Sequence, residues 1–230
     1  MKERPMMFNA EMVRAILDGR KTQTRRLVPE WQLPKHSPDN SDDPRYNWMA
    51  EAQRDRRYGY GVFGETEEAC AEELSLMAPC PFGNKRDRIW VRETFQGPLF
   101  DWDMMDSYCN YSTPFEKPEF CVYKADGVPA PEFYDADDVL HCRWRPSIHM
   151  PRWASRITLE ITGVRVERLA SISNESARAE GYPAERAADG GDSDPWLWFR
   201  DLWDGIYPEQ SFKVNPWVWV IEFRRIEGGA

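Results

Sequence analysis

The segment Ser155–Leu169 constrains the fold more than any other stretch of the chain. Ile157, Leu159 and Ile161 alternate with Arg156, Thr158, Glu160 and Thr162. A period of two sends successive side chains to opposite faces of an extended strand. One face is therefore apolar and the other wet, which places the strand in a sheet with one core side. Gly163 interrupts the run before Val164 and Val166, at a point suited to a turn or bulge. Two more segments carry strand signal. Ile89, Val91 and Phe95 share a face of Arg88–Phe95, and the run Trp217–Phe223 closes the chain.

Short helices separate these strands. Asn9 is placed to cap a helix whose Met12, Val13, Ile16 and Leu17 fall on one face, with Gly19 as its stop. Ser173 caps a second helix through Glu180, ended by Gly181, and Asp194-Pro195 opens a third, with Gly205 past its end. No repeat of 20–50 residues is present. Short helices among separated strands indicate an α+β fold built on a small barrel or curled sheet. The length of 230 residues fits a single domain, 1–230, that carries insertions. These are expected at 29–87, 97–140 and 183–194. The first is rich in proline and charge and short of periodicity, with a short acidic helix over Glu65–Glu73.

A formal net charge of −9 works against binding of polyanions by the molecule as a whole. Two stretches run against that balance. Residues 1–26 hold seven Lys and Arg against three acids, and residues 141–169 hold Arg143, Arg145, Arg152, Arg156, Arg165 and Arg168 against Glu160 and Glu167. Such local basicity suits a focused anion site or an ordinary solvated arginine surface. The five cysteines form no C-x-x-C pair and only three histidines exist, a set that reads as reduced thiols in a cytoplasm. No metal or cofactor is expected. No apolar run marks a leader or a membrane span, so a cytoplasmic protein, monomeric or a small homo-oligomer, is expected. The eleven tryptophans are expected mainly in core packing.

The most specific local feature is Gly19-Arg20-Lys21-Thr22-Gln23-Thr24-Arg25-Arg26, of form G-x-K-T-x-T-x-R directly after the first helix. Here the chain resembles the ASCH family of the PUA-like superfamily, whose signature sits in the same place. The resemblance extends to the strand Ile89–Phe95, the strand–helix unit Ile157–Gly181 and the closing strand ending in Phe223-Arg224-Arg225, about half the chain. The run Trp144–Trp153 is similar to enlarged ASCH proteins of bacteriophages and prophages. The resemblance implies a PUA-like small β-barrel with flanking short helices and long loop insertions. Small bacterial members of the family remove the acetyl group from N4-acetylcytidine with a Lys, a Thr three residues later and a distant Glu on a short helix. Lys21 and Thr24 match the first two by spacing, Glu180 is the candidate for the third with Glu175 beside it, and the signature arginine falls on Arg26.

The residue types suit amide hydrolysis on chemical grounds as well. A threonine hydroxyl attacks only when a base takes its proton. Lysine serves as that base when desolvation or neighbouring cations lower its pKa, and Arg20, Arg25 and Arg26 are sequence neighbours. A buried carboxyl can hand a proton to the departing amine. The expected site is a cleft in which Lys21 hydrogen-bonds Thr24, Glu180 completes the catalytic set and Arg26 grips substrate. Glu93 is a candidate second acid, and Trp90 and Trp153 are candidates to stack a base. The expected ligand is a modified nucleoside or a short nucleic-acid segment. Competing readings are a non-catalytic module binding RNA or a modified base, and a ribonuclease in which Lys21 and Arg26 hold phosphate. The same octet also has the look of a helix C-terminus bearing cations that complement the helix dipole.

Overall fold

A computed structural model describes residues 1–38, 42–55, 57–135 and 139–226. Parts of two expected insertions, residues 39–41 and 56 in the first and 136–138 in the second, lie outside the described residues, as do residues 227–230. The helices are α1 (Ala10–Leu17), α2 (Glu67–Met77), α3 (Met105–Asn110), α4 (Asn174–Ala179), α5 (Ala184–Asp189) and α6 (Asp194–Ile206). The strands of the first half are β1 (Glu3–Met7), β2 (Gln23–Leu27), β3 (Lys35–His36), β4 (Trp48–Gln53), β5 (Tyr60–Gly64) and β6 (Arg88–Arg92). Those of the second half are β7 (Phe95–Gln96), β8 (Val122–Tyr123), β9 (Glu132–Tyr134), β10 (Leu140–Cys142), β11 (Thr158–Arg168) and β12 (Trp217–Ile226). The fold is thus a mixture of short helices and several separate sheets, of the α+β kind. Among the described residues no sheet closes into a barrel.

The chain forms two compact units. The first comprises residues 1–19, 88–160 and 225–230, and the second residues 20–87 and 161–224. In the first, β1 runs parallel to β6, with Met6 beside Val91, and β6 runs antiparallel to the start of β11, with Ile89 beside Leu159. Pro5 sits in β1, a strand with an open edge where the missing N–H costs no ladder bond. Helix α1 forms as expected: the Asn9 side chain accepts from Met12 N, and Val13, Ala15 and Ile16 are buried. It packs on the turn Lys124–Asp126, where Arg14 Nη1 donates to the Ala125 carbonyl at 3.2 Å. A small core of Phe95, Tyr123, Met150 and Ala154 lies beneath the irregular segments.

In the second unit β12 lies between β2 and the remainder of β11, with Thr24 opposite Ile221 and Arg26 opposite Trp219. Residues Trp217–Ile221 are buried without a break, so β12 is covered on both faces, which explains its continuous apolar run. Val218 and Val220 join Phe199 and Trp203 of α6, Ala177 of α4, and Leu169, Ile172 and Phe212 in one core. Helix α6 continues to Ile206, so Gly205 lies inside it rather than beyond its end.

The expected loop at 29–87 is in large part folded. Strands β3, β4 and β5 form a three-stranded antiparallel sheet, and α2 packs on β4 and β5. Ala50, Ala52 and Val62 are buried with Cys70 and Leu74 of α2. The β4 pattern does alternate, but its inward residues are alanines, which carry little strand signal. Small residues are required there because the helix lies close. A Cβ added to Gly64 would sit 2.4 Å from the Cys70 backbone nitrogen.

Candidate functional site

The basic octet is held in the second unit by the end of α4. Gly19 adopts a left-handed φ of 75° and releases the chain from α1. Lys21 then makes an antiparallel bridge with Glu180, and Thr22 N donates to the Ala179 carbonyl at 2.9 Å. Arg20 Nη1 donates to the carbonyls of Gly181 and Tyr182 at 3.2 and 3.1 Å. Gln23 Nε2 reaches the Ser176 carbonyl at 2.6 Å. Side chains of the octet thus hold the chain just past α4, at the carbonyls of Glu180, Gly181 and Tyr182, and Gln23 adds a second donor to the Ser176 carbonyl, which also accepts from Glu180 N. Ser173 caps the other end of α4, accepting from Ser176 N.

Alternation along β2 sorts the octet into two sets. Gln23 and Arg25 point with Lys21 toward α4, whereas Thr24 and Arg26 lie on the other face. On the α4 side Lys21 Nζ meets Glu180 Oε2 at 2.7 Å and donates to the Glu180 carbonyl at 2.7 Å. The other carboxylate oxygen, Oε1, accepts from Arg25 Nη1 at 2.9 Å. The side chains of Lys21 and Glu180 are 0% and 4% exposed. Burial pushes the Lys21 ammonium below its ordinary range, the Glu180 carboxylate opposes that shift, and the charges of Arg26 and Arg25 add to it. Of the two candidate carboxylates on this short helix, Glu180 is buried and Glu175 is exposed.

On the other face Arg26 Nη1 donates to Thr24 Oγ1 at 2.7 Å and to the Arg25 carbonyl at 2.9 Å. This corrects the expected Lys21–Thr24 hydrogen bond, because Lys21 Nζ turns to Glu180. The physical reason is the strand period, since residues 21 and 24 differ by an odd number. The Thr24 hydroxyl is buried, and Arg26 is drawn below its ordinary pKa by burial, with Tyr207 and Glu180 opposing.

The three remaining candidates belong to the first unit. The buried Glu93 carboxylate accepts from Arg156 through both oxygens, at 3.0 and 3.1 Å. Arg156 also meets Asp126 at 2.7 Å and lies 3.8 Å from the centre of the Tyr123 ring. Burial raises the Glu93 pKa and Arg156 pulls it back. Trp90 is half-buried, with the guanidinium groups of Arg92 and Arg152 at 5.5 and 5.9 Å from its ring centre. Trp153 packs against the Phe95 core cluster.

Two residues not among the expected site residues belong to the Lys21–Glu180 cluster, one of them expected only as a cation neighbouring Lys21. They are Arg25 and Glu167, joined at 2.6 Å. Arg25 was legible by parity, because residues 21, 23 and 25 share a strand face. Glu167 was not, because nothing local ties it to a residue 142 positions away. Among the described residues no group of three or more His, Cys, Asp and Glu is placed to hold a metal, and no helix is long and apolar enough to cross a membrane. No protein-family model, curated protein or solved structure matches the chain.

Proposed function

We propose that this chain is an ASCH-type member of the PUA-like superfamily, and that it removes an acyl group from the exocyclic amine of N4-acylated cytidine or cytosine. The observation that carries this reading is the buried Lys21–Glu180 pair at 2.7 Å, with the lysine held below its ordinary pKa. In a buried site the neutral pair, amine and carboxylic acid, competes with the ion pair because neither form of it must be desolvated as a charge. A proton moved from Nζ to Oε2 leaves Lys21 as a base and Glu180 as an acid. Those are the two functions that acyl transfer needs.

Thr24 supplies the nucleophile. Its Oγ1 accepts from Arg26, so its own proton is left to donate, and the guanidinium favours the alkoxide that forms when that proton goes. For the step to run, Lys21 Nζ must leave the Glu180 carbonyl and turn to Thr24, a rearrangement away from the arrangement described above, in which the two side chains lie on opposite strand faces. The Thr24 oxygen then bonds the acyl carbon, the C–N bond breaks, the amine takes the Glu180 proton, and water releases the acyl group from Thr24. An acidic protein whose basic residues concentrate in two short stretches suits a free nucleoside or short oligomer better than a long duplex, whose binding grows with each phosphate neutralised.

A non-catalytic module that binds a modified base is the second reading. It is favoured by the saturation of Glu180, both of whose carboxylate oxygens already hold partners. A screen of N4-acylated cytosines and cytidines for release of the free amine separates the two. Amidase action predicts release that falls by at least about a hundredfold in Lys21→Ala, the scale of losing a general base. It also predicts release that is abolished in Thr24→Ala while nucleoside binding persists. Binding without release in the unaltered protein would refute the amidase and leave the module.

A further inference from the structure

Within the second unit a line of alternating charges leads from the buried lysine to solvent. Lys21 meets Glu180 at 2.7 Å, Glu180 meets Arg25 at 2.9 Å, Arg25 meets Glu167 at 2.6 Å, and Glu167 meets Arg165 at 3.0 Å. Arg165 ends the line on Glu222. Side-chain exposure along it is 0, 4, 1, 20, 36 and 45%. The two oxygens of Glu180 are divided between Lys21 and Arg25, and those of Glu167 between Arg25 and Arg165. Arg25 is thus held by a carboxylate at each terminal nitrogen and lies 5.5 Å from the centre of the Phe199 ring, while its buried Nε has no hydrogen-bond partner.

We propose that Arg25 and Glu167 are positioning residues for Glu180, a clamp that fixes which carboxylate oxygen faces Lys21 and biases where the shared proton lies. The proposal rests on reading Lys21 and Glu180 as the reacting pair. A carboxylate on a short helix is free to turn and to offer either oxygen. With Oε1 taken by the guanidinium, only Oε2 exchanges a proton with Nζ. Glu167 in turn stops the guanidinium from swinging away, because a fork with both ends held has one orientation. The charged groups acting on Lys21 are Glu180, which raises its pKa, and Arg26 and Arg25, which lower it; Glu167 and Arg165 of β11 reach the pair through Arg25, and Tyr207 after α6 acts on Arg26. Arg25 disfavours the lysine cation, and Glu167 acts by holding Arg25 in place, so removing either moves the lysine in the same direction.

The test is a titration of the Lys21 side chain by NMR in the full-length chain, with lysines isotopically labelled. The chain has seven lysines, and the Lys21 signal is assigned by its loss in Lys21→Ala. Arg25→Gln is expected to raise the Lys21 midpoint by at least about 0.5 pH unit, on the usual scale of a close charge, and Glu167→Gln, which loosens the guanidinium, to move it in the same direction. Glu222→Gln, at the far end of the line, is expected to leave it within about 0.2 pH unit. If Arg25→Gln does not fold, Glu167→Gln against Glu222→Gln decides alone. An unmoved or lowered midpoint in Glu167→Gln overturns the clamp. The expected shifts in a protein that releases no acyl group would uphold the clamp and defeat the amidase. Acyl release with an unmoved midpoint would defeat the clamp only.

Discussion

Replacing Glu180 by alanine isolates the energetics of the cluster. The substitution removes two charge-assisted bonds, at 2.7 and 2.9 Å, and leaves Lys21 and Arg25 with side chains 0% and 1% exposed. Losing one partner of a buried pair costs about 3–5 kcal/mol, because the cation left behind has neither water nor a counter-charge. An exposed pair would cost at most about 1 kcal/mol. At about 2–4 °C per kcal/mol for a chain of this size, Tm should fall by about 6–20 °C. Urea unfolding measures the loss, with circular dichroism and tryptophan fluorescence followed together because two compact units can unfold in separate steps. Lys21→Met with Glu180→Gln should recover at least about half of it, since the orphaned ammonium is gone and Arg25 keeps an acceptor. The sign with pH is also fixed. Without Glu180 the Lys21 pKa falls further below its ordinary 10.5. The unfolded chain then binds the extra proton across that window, and the variant regains stability as pH rises through it. A loss below about 1 kcal/mol with no recovery in the double variant would refute the account of Glu180 as a buried counter-charge.

Three further outcomes follow from other parts of the molecule. Burial raises the folded pKa of Glu93 above 4.5, so its contribution is fully present below that value and is lost as pH rises through the folded pKa. Urea midpoints of wild type and Glu93→Gln from about pH 4 to 7 should therefore show the wild-type curve declining relative to the variant, and parallel curves would contradict the raised value. Gly64→Ala should destabilise by about 1–3 kcal/mol, because its Cβ meets Cys70 backbone at 2.4 Å and the helix must shift. An unchanged urea midpoint would mean that α2 yields freely. Titration against duplex DNA, single-stranded RNA and free nucleosides at several salt concentrations should favour the nucleosides, and a steep salt slope with tight polymer binding would refute that preference.

Patterns that depend on one segment were legible in the sequence. Strand signal at 88–95, 155–169 and 217–223 anticipated the strands Arg88–Arg92, Thr158–Arg168 and Trp217–Ile226, and Asn9 and Ser173 marked the starts of two helices. The octet marked where cations gather, because a glycine stop followed by Lys and Arg next to a strand is a local statement. Strands β3 to β5 escaped notice because alanine and glycine face inward there, and their small size answers a helix that the strand sequence does not mention. The barrel was an expectation from family likeness, and whether a sheet closes depends on pairings between distant strands that no single strand encodes. At the candidate site, the octet and the family likeness offered Lys21, Thr24, Arg26 and Glu180 as expected members, and tertiary structure decided who bonds whom. The strand period turned Lys21 away from Thr24. The fold brought Glu180 to Lys21 from 159 residues away and Glu167 to Arg25 from 142. A buried cation takes the carboxylate that the fold delivers, and that choice is made by packing in three dimensions, where spacing along the chain carries no information.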